Sequence, residues 1–177
     1  GIRRMHKLDL ALPPADQPLP AAGYNPYRAA FAAAGLVRRA GCTLAFTATR
    51  SSAERLGLAL KVLLPEEDER IEVHHASIDR DSRLRIEDAL GAGALKAVVC
   101  STSLELGVDY AGVDQVLLIG APRGVSRAVQ RLGRGGHRVG GVAHGYLAVL
   151  SLPDLLECIA LREAAEAGRL DELLQAG

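Results

Sequence analysis

Short runs of apolar residues alternate along this chain with longer stretches in which apolar positions recur every three or four residues. The first kind reads as buried strand and the second as one-sided helix. Residues 24 to 40 carry a helical stripe through Tyr27, Ala30, Phe31, Ala34 and Val37, stopped at Gly41. Thr43 to Thr49 is a short apolar strand, and Ser51 with Glu54 has the spacing of a capping box that opens a helix running to about Leu64. Pro65 ends that helix, Glu66 to Arg70 reads as an exposed acidic turn, and Ile71 to Ala76 as a second strand. A helix from Arg80 to about Leu90 stops at Gly91 and Gly93. Lys96 to Ser101 is apolar almost throughout, as a strand covered on both faces should be. After a short helical turn come a strand at Asp114 to Ile119, an arginine-striped helix, a strand at Gly145 to Leu150 and a last helix from about Asp154.

Strands of this length alternating with helices imply right-handed crossovers. The expected fold is therefore α/β, a mainly parallel sheet flanked by helices in three α/β/α layers. The first residues break the pattern: five of the eight prolines, Pro13, Pro14, Pro18, Pro20 and Pro26, fall there and no period holds. Residues 1–40 thus read as a linker arm and helix, 41–152 as the main domain and 153–177 as a helical extension.

Composition narrows the class. The chain has 177 residues, 49% of them hydrophobic, enough for one well-buried domain. Net charge is zero, so any binding of nucleic acid has to be local rather than by bulk charge. Cys42, Cys100 and Cys158 are odd in number and far apart, which suits reduced thiols in a cytoplasmic protein. No segment reaches the ~18 consecutive apolar residues of a membrane span, so no membrane partner is expected. Arginine outnumbers lysine 18 to 3, which fits a GC-rich bacterial genome. The chain opens on Gly1 and its only methionine is Met5, which suggests a piece of something longer.

The candidate chemistry is cationic. Arg123, Arg127, Arg131, Arg134 and Arg138 follow at steps of four, four, three and four, lining one side of a helix, while Val125, Ala128, Val129 and Leu132 form the opposite apolar stripe. No acidic residue occurs between Asp114 and Asp154, so an anion from elsewhere must supply the counter-charge, and arginine's planar fork suits phosphate. Gly133, Gly135 and Gly136 end the stripe and allow close backbone approach; a plain solvated basic face is the alternative.

In a parallel sheet, ligands bind beyond the carboxyl ends of the strands. There the chain places Thr47, Thr49, Arg50 and Ser51, then His75, Ser77 and Arg80, then Ser101, Thr102 and Ser103, groups able either to bond phosphates or simply to cap helices. Gly107 and Asp109 join a glycine to a carboxylate that suits a ribose hydroxyl or a turn. There is no G-x-x-x-x-G-K-[ST] phosphate loop, no G-x-G-x-x-G in frame and no G-x-S-x-G elbow. Adjacent His74 and His75 would face opposite sides of a strand, with no carboxylate or cysteine at ligand spacing, which argues against zinc.

Taken in order, TLAFTATRSSAERL, VHHASIDRDSRLRIEDAL, KAVVCSTSLELGVDY and QRLGRGGHR resemble the second RecA-like domain of a superfamily 2 helicase. The run GAPRGVSRAVQRLGRGGHR and the later LLECIALREAAEAGRLDEL resemble the Lhr-type group of DEXH-box DNA helicases, including its ligase-associated bacterial members, over about Gly41 to Leu174. The resemblance implies that ATP, with Mg2+ held by a preceding RecA-like domain, sits between the two domains. It implies catalytic roles for Gln130 and the finger arginine Arg134, with either His137 or Arg138 as a second contact, because Gly136 is followed by histidine before the arginine. It implies nucleotide contacts at Gly107, Asp109 and Arg131, and contacts to the tracking strand's phosphates at Thr49, Arg50, Ser77, Ser101 and Thr102. The implied activity is ATP-dependent 3′ to 5′ DNA unwinding or translocation in repair, with DNA and repair proteins as partners and the fragment inactive alone. A non-catalytic nucleic-acid or protein binding module and an RNA helicase domain stand as alternatives.

Overall fold

A computed structural model describes residues 6–12, 26–101, 112–121 and 143–167. Among them are six strands, β1 (His6–Ala11), β2 (Thr43–Phe46), β3 (Ile71–His74), β4 (Ala97–Cys100), β5 (Gln115–Ile119) and β6 (Ala143–Ala148). Four α-helices, α1 (Pro26–Arg39), α2 (Arg50–Leu63), α3 (Arg80–Gly91) and α4 (Leu152–Glu166), and a 3-10 turn over Pro65–Arg70 complete the described set. The strands form one sheet in the order β1-β6-β5-β2-β4-β3, with every neighbouring pair parallel.

All residues of β2, β4 and β5 are buried, which is why their sequences read as apolar runs, broken only by Thr43 and Gln115 at the starts of β2 and β5. Alternate side chains feed two cores. Leu44, Phe46, Val98, Val116 and Leu118 pack on one face with Ile86 and Leu90 of α3 and Cys158 and Leu161 of α4. Ala45, Val99 and Leu117 face the other way, against Ala30, Ala33 and Val37 of α1 and Leu56 and Leu60 of α2. The result is the expected three-layer α/β/α arrangement. The alanines of α1 and Gly57 of α2 bring these helices close to the sheet; a methyl group added at Gly57 would collide with Val73 of β3.

The amino ends of the strands are tied together by polar groups bonded mainly to the main chain. Gln115 donates from Nε2 to the Leu36 carbonyl at 3.1 Å and to Thr43 Oγ1 at 2.8 Å. Lys96 Nζ donates to the Ala40 carbonyl at 2.6 Å, and Asp114 Oδ2 accepts from the Cys42 amide at 2.8 Å. Burial pushes the Cys42 thiol up to about 11 and the Cys158 thiol up to about 12, which leaves both inert as nucleophiles.

Three local expectations change. Residues read as linker contain β1, whose Lys7, Leu8, Asp9 and Leu10 alternate polar and apolar, with Leu8 buried. It is an edge strand held by parallel pairing to β6. The first helix after β2 is capped by Thr49, not Ser51: Thr49 Oγ1 accepts the Ser52 amide at 3.1 Å, so the Ser51 and Glu54 capping box does not form. Finally, α4, expected as an extension, buries Cys158, Leu161, Ala164 and Ala165 in the same core as the sheet.

The edge strand carries a titratable tie. His144 Nε2 lies 2.9 Å from Asp9 Oδ2, and the His144 ring stacks on Tyr146 at 4.6 Å. The hydrogen bond from His144, assisted by Lys7, holds the Asp9 carboxyl below its ordinary value of 3.8 despite some opposing desolvation. A depressed folded-state value means that the contribution is present above the unfolded value and lost as pH falls through the folded one. The pair is substantially exposed, so the gain is modest, below about 1 kcal/mol. In urea titrations, Asp9→Asn should therefore be less stable than the parent at neutral pH, with the difference closing as pH drops below about 4. A constant difference across that range would show that the carboxylate's charge is not what matters.

Candidate nucleic-acid interface

Where the amino ends of the sheet are locked, the carboxyl ends present polar groups to the outside. The chain leaves β2 through Thr47, whose amide donates to the Cys100 carbonyl at 2.8 Å and whose hydroxyl is 3.0 Å from the Thr49 carbonyl and 3.3 Å from that of Cys100. This buried threonine binds the exit of β2 to the end of β4 and delivers Thr49 to the helix cap. Arg50 is then the first residue of α2, and the first turn of that helix carries no acidic residue. A helix start with an exposed arginine, the exposed Ser51 and no carboxylate in its first turn favours an anion.

Ser77 is exposed in the turn after β3, which is closed by the Ile78 amide donating to the His75 carbonyl at 3.1 Å and braced by Arg83 Nη2, 3.2 Å from the Ala76 carbonyl. The start of α3 is a poorer anion site, because its cap Asp79 accepts the Ser82 amide at 2.8 Å and Asp81 sits in its first turn. That backbone bond holds the Asp79 carboxyl below its ordinary range, so it stays charged. Ser101 follows β4, is buried, and its amide donates to the His74 carbonyl at 3.3 Å.

The sheet order β2-β4-β3 therefore brings Thr49 and Arg50, Ser101 and Ser77 to one edge, with three of the four exposed. Thr102, Gly107, Asp109, Gln130, Arg131, Arg134, His137 and Arg138 lie outside the described residues.

Beside this edge is a cleft of about 150 Å3 between the ends of β2, β5 and β6, lined by Thr47, Ala48, Ser52, Ile119, Gly120, Ala121, Leu150 and Asp154. From β2 the chain crosses toward β3, and from β5 it proceeds toward β6 on the opposite side, so the cleft marks the point where the winding reverses. Ligands of open parallel sheets bind at such a point. Gly120 has φ +79° there, a conformation open to glycine, and a side chain would press on Leu150. Of these lining residues sequence reasoning named Thr47 but not Ser52, Gly120 or Asp154, because their meeting depends on strand order.

Glu54 also has a different place from the one its spacing suggests. One oxygen, Oε1, lies 3.0 Å from Arg50 Nε and 3.1 Å from His75 Nε2. On the other side of β3, His74 Nε2 is 3.3 Å from Glu87 Oε1, and burial keeps this imidazole's basicity below the ordinary histidine range. Both histidines thus have carboxylate neighbours, supplied by α2 and α3 rather than by nearby sequence. The Arg50 and Glu54 spacing of four residues was the available signal for the first of these contacts.

The all-parallel sheet, its covered faces and its polar carboxyl edge define a RecA-like α/β domain. Residues 29–140 match the helicase conserved C-terminal domain model. The ATP-dependent helicase Lhr-Core protein 2 of Thermococcus barophilus is 49% identical over 138 residues, covering 78% of this chain and 16% of that protein. The ATP-dependent helicase Lhr-Core of Methanocaldococcus jannaschii is 41% identical over the same length and with the same coverage. In structure, the chain is similar to the Mycobacterium smegmatis helicase Lhr bound to ssDNA and AMP-PNP, with a TM-score of 0.78 and 30% identity over 92% of this chain and 22% of that one. The chain belongs to the helicase conserved C-terminal domain family and is of the Lhr type. It spans about 16% of the length of these curated relatives.

Proposed function

We propose that in the full-length protein this domain is the second motor domain of an ATP-dependent 3′ to 5′ DNA helicase or translocase acting in repair. The observation that carries the reading is the exposed carboxyl edge on which Thr49, Arg50 and Ser77 stand together beside the switch-point cleft. Support comes from the Mycobacterium smegmatis relative, whose structure is of a complex with single-stranded DNA and AMP-PNP.

In this reading Thr49, Arg50 and Ser77, with Ser101 and Thr102, hold the phosphates of the tracking strand. Gly107, Asp109 and Arg131 meet the nucleotide, and Arg134, with Gln130 and either His137 or Arg138, faces its terminal phosphate. Magnesium, bound with the nucleotide, takes its protein ligands from the first motor domain. ATP turnover supplies the opening and closing of the interdomain cleft; this chain's own residues supply the grip.

Phosphate contacts give affinity without sequence preference and are lost with salt in proportion to their number. Arg50→Ala in the full-length protein should weaken binding to single-stranded DNA of any sequence and reduce the slope of log K against log salt by about 0.7, the share of one phosphate on a single strand. Binding titrations over a salt series measure both. An unchanged slope would remove Arg50 from the grip and leave a protein-binding use of this edge as the better reading.

A further inference from the structure

We propose that Glu54 is the positioning residue for Arg50: clamped by the buried His75, its carboxylate holds the guanidinium by Nε and leaves the fork's end edge for a nucleic-acid phosphate. The inference rests on Arg50 being a phosphate contact. The geometry favours holding over mere proximity, since a single oxygen of Glu54 receives Arg50 Nε at 3.0 Å and His75 Nε2 at 3.1 Å. Arg50 and Glu54 are about half exposed, with side-chain exposures of 57% and 49%, while the histidine side chain is only 8% exposed. A flexible surface pair is thus fastened to a rigid point at the end of β3. Nη1 and Nη2 of Arg50 have no partner among the described residues, and that pair of donors is the edge that takes two phosphate oxygens at once.

The histidine itself is poorly explained by packing. Its Nε2 faces the carboxylate, and its Nδ1 is buried without a hydrogen-bond partner among the described residues. An unpaired buried polar nitrogen is unfavourable, and an apolar residue at this strand end would avoid it. What the imidazole adds is a fixed donor aimed at Glu54. The carboxylate is kept ionised chiefly by its hydrogen bond from Arg50. The competing reading of the same contacts is a decoy, in which the carboxylate occupies the arginine until phosphate displaces it.

Two substitutions separate them. Glu54→Gln retains an oxygen that both donors can reach and removes the charge; Glu54→Ala removes both. Binding of a labelled single-stranded oligothymidylate to the full-length protein should weaken about two- to tenfold in Glu54→Ala, the cost of ordering a freed arginine side chain on binding. Glu54→Gln should bind at least as tightly as the parent. The pair is exposed, so melting temperatures should barely move and the loss of affinity is not a loss of fold. In an Arg50→Ala background, Glu54→Ala should have no further effect. If Glu54→Ala binds as tightly as the parent or more tightly while Arg50→Ala is impaired, positioning is wrong and the carboxylate is a decoy or a bystander. If Arg50→Ala binds normally with an unchanged salt slope, the phosphate-grip reading fails and the positioning role falls with it.

Discussion

Arg134→Ala should lower the ATP turnover of the full-length protein by about 10³- to 10⁵-fold while leaving its affinity for single-stranded DNA nearly intact. The expectation follows from the proposed role of Arg134, in the run Gln130 to Arg138, as the finger arginine. A guanidinium that meets charge as it develops on a transferring phosphoryl group stabilises the transition state more than the ground state. Its removal should therefore depress kcat and kcat/KM together, with little change in KM for ATP. Arg134→Lys should recover little, because an ammonium keeps the charge but lacks the planar fork. Steady-state turnover at saturating single-stranded DNA decides the matter. Turnover within about threefold of the parent would sink the finger assignment and turn the arginine stripe back into a binding surface.

The second large effect concerns stability. Phe46 has no solvent exposure and is among the largest fully buried side chains, on β2 immediately before the loop that carries Thr47 and Thr49 and leads to Arg50 of α2. Its ring joins the core formed with α3 and α4. Phe46→Ala should destabilise the domain by about 3–5 kcal/mol, combining lost burial with an incompletely closed cavity. That is a large fraction of the ~5–15 kcal/mol typical of a folded domain. Phe46→Leu keeps most of the volume and should cost under about 1.5 kcal/mol. Urea denaturation of the three proteins measures the series; a loss below about 1 kcal/mol in the alanine variant would mean that β2 is not the centre of the core.

Much of the architecture was legible because β2, β4 and β5 are covered on both faces and so are apolar at every position after the polar Thr43 and Gln115 that open β2 and β5, a pattern that solvent-exposed strands cannot show. β1 was not legible. Its alternation of Lys7 and Asp9 with Leu8 and Leu10 is brief, it precedes a proline-rich stretch, and its partner strand lies far along the chain at Ala143–Ala148. At the start of α2 both Thr49 and Ser51 are competent caps, and the choice falls to Thr49 because the tether between Thr47 and Cys100 sets where the chain leaves the sheet. Within the candidate site, the residues after β2, β3 and β4 could be named from strand ends alone. The joining of Glu54 to His75 could not, since it depends on α2 and β3 lying side by side.

The close seating of Gly57 against Val73 bears on how the grip carries load. A strand held at Arg50 pulls on the first turn of α2, and sliding of that helix along β3 would drive the Val73 methyl into its backbone. Steric repulsion rises steeply with displacement and does not depend on ions. In the proposed function the attachment to DNA softens with salt while the mount behind it does not, and the domain would behave as an adhesive tip on a stiff strut.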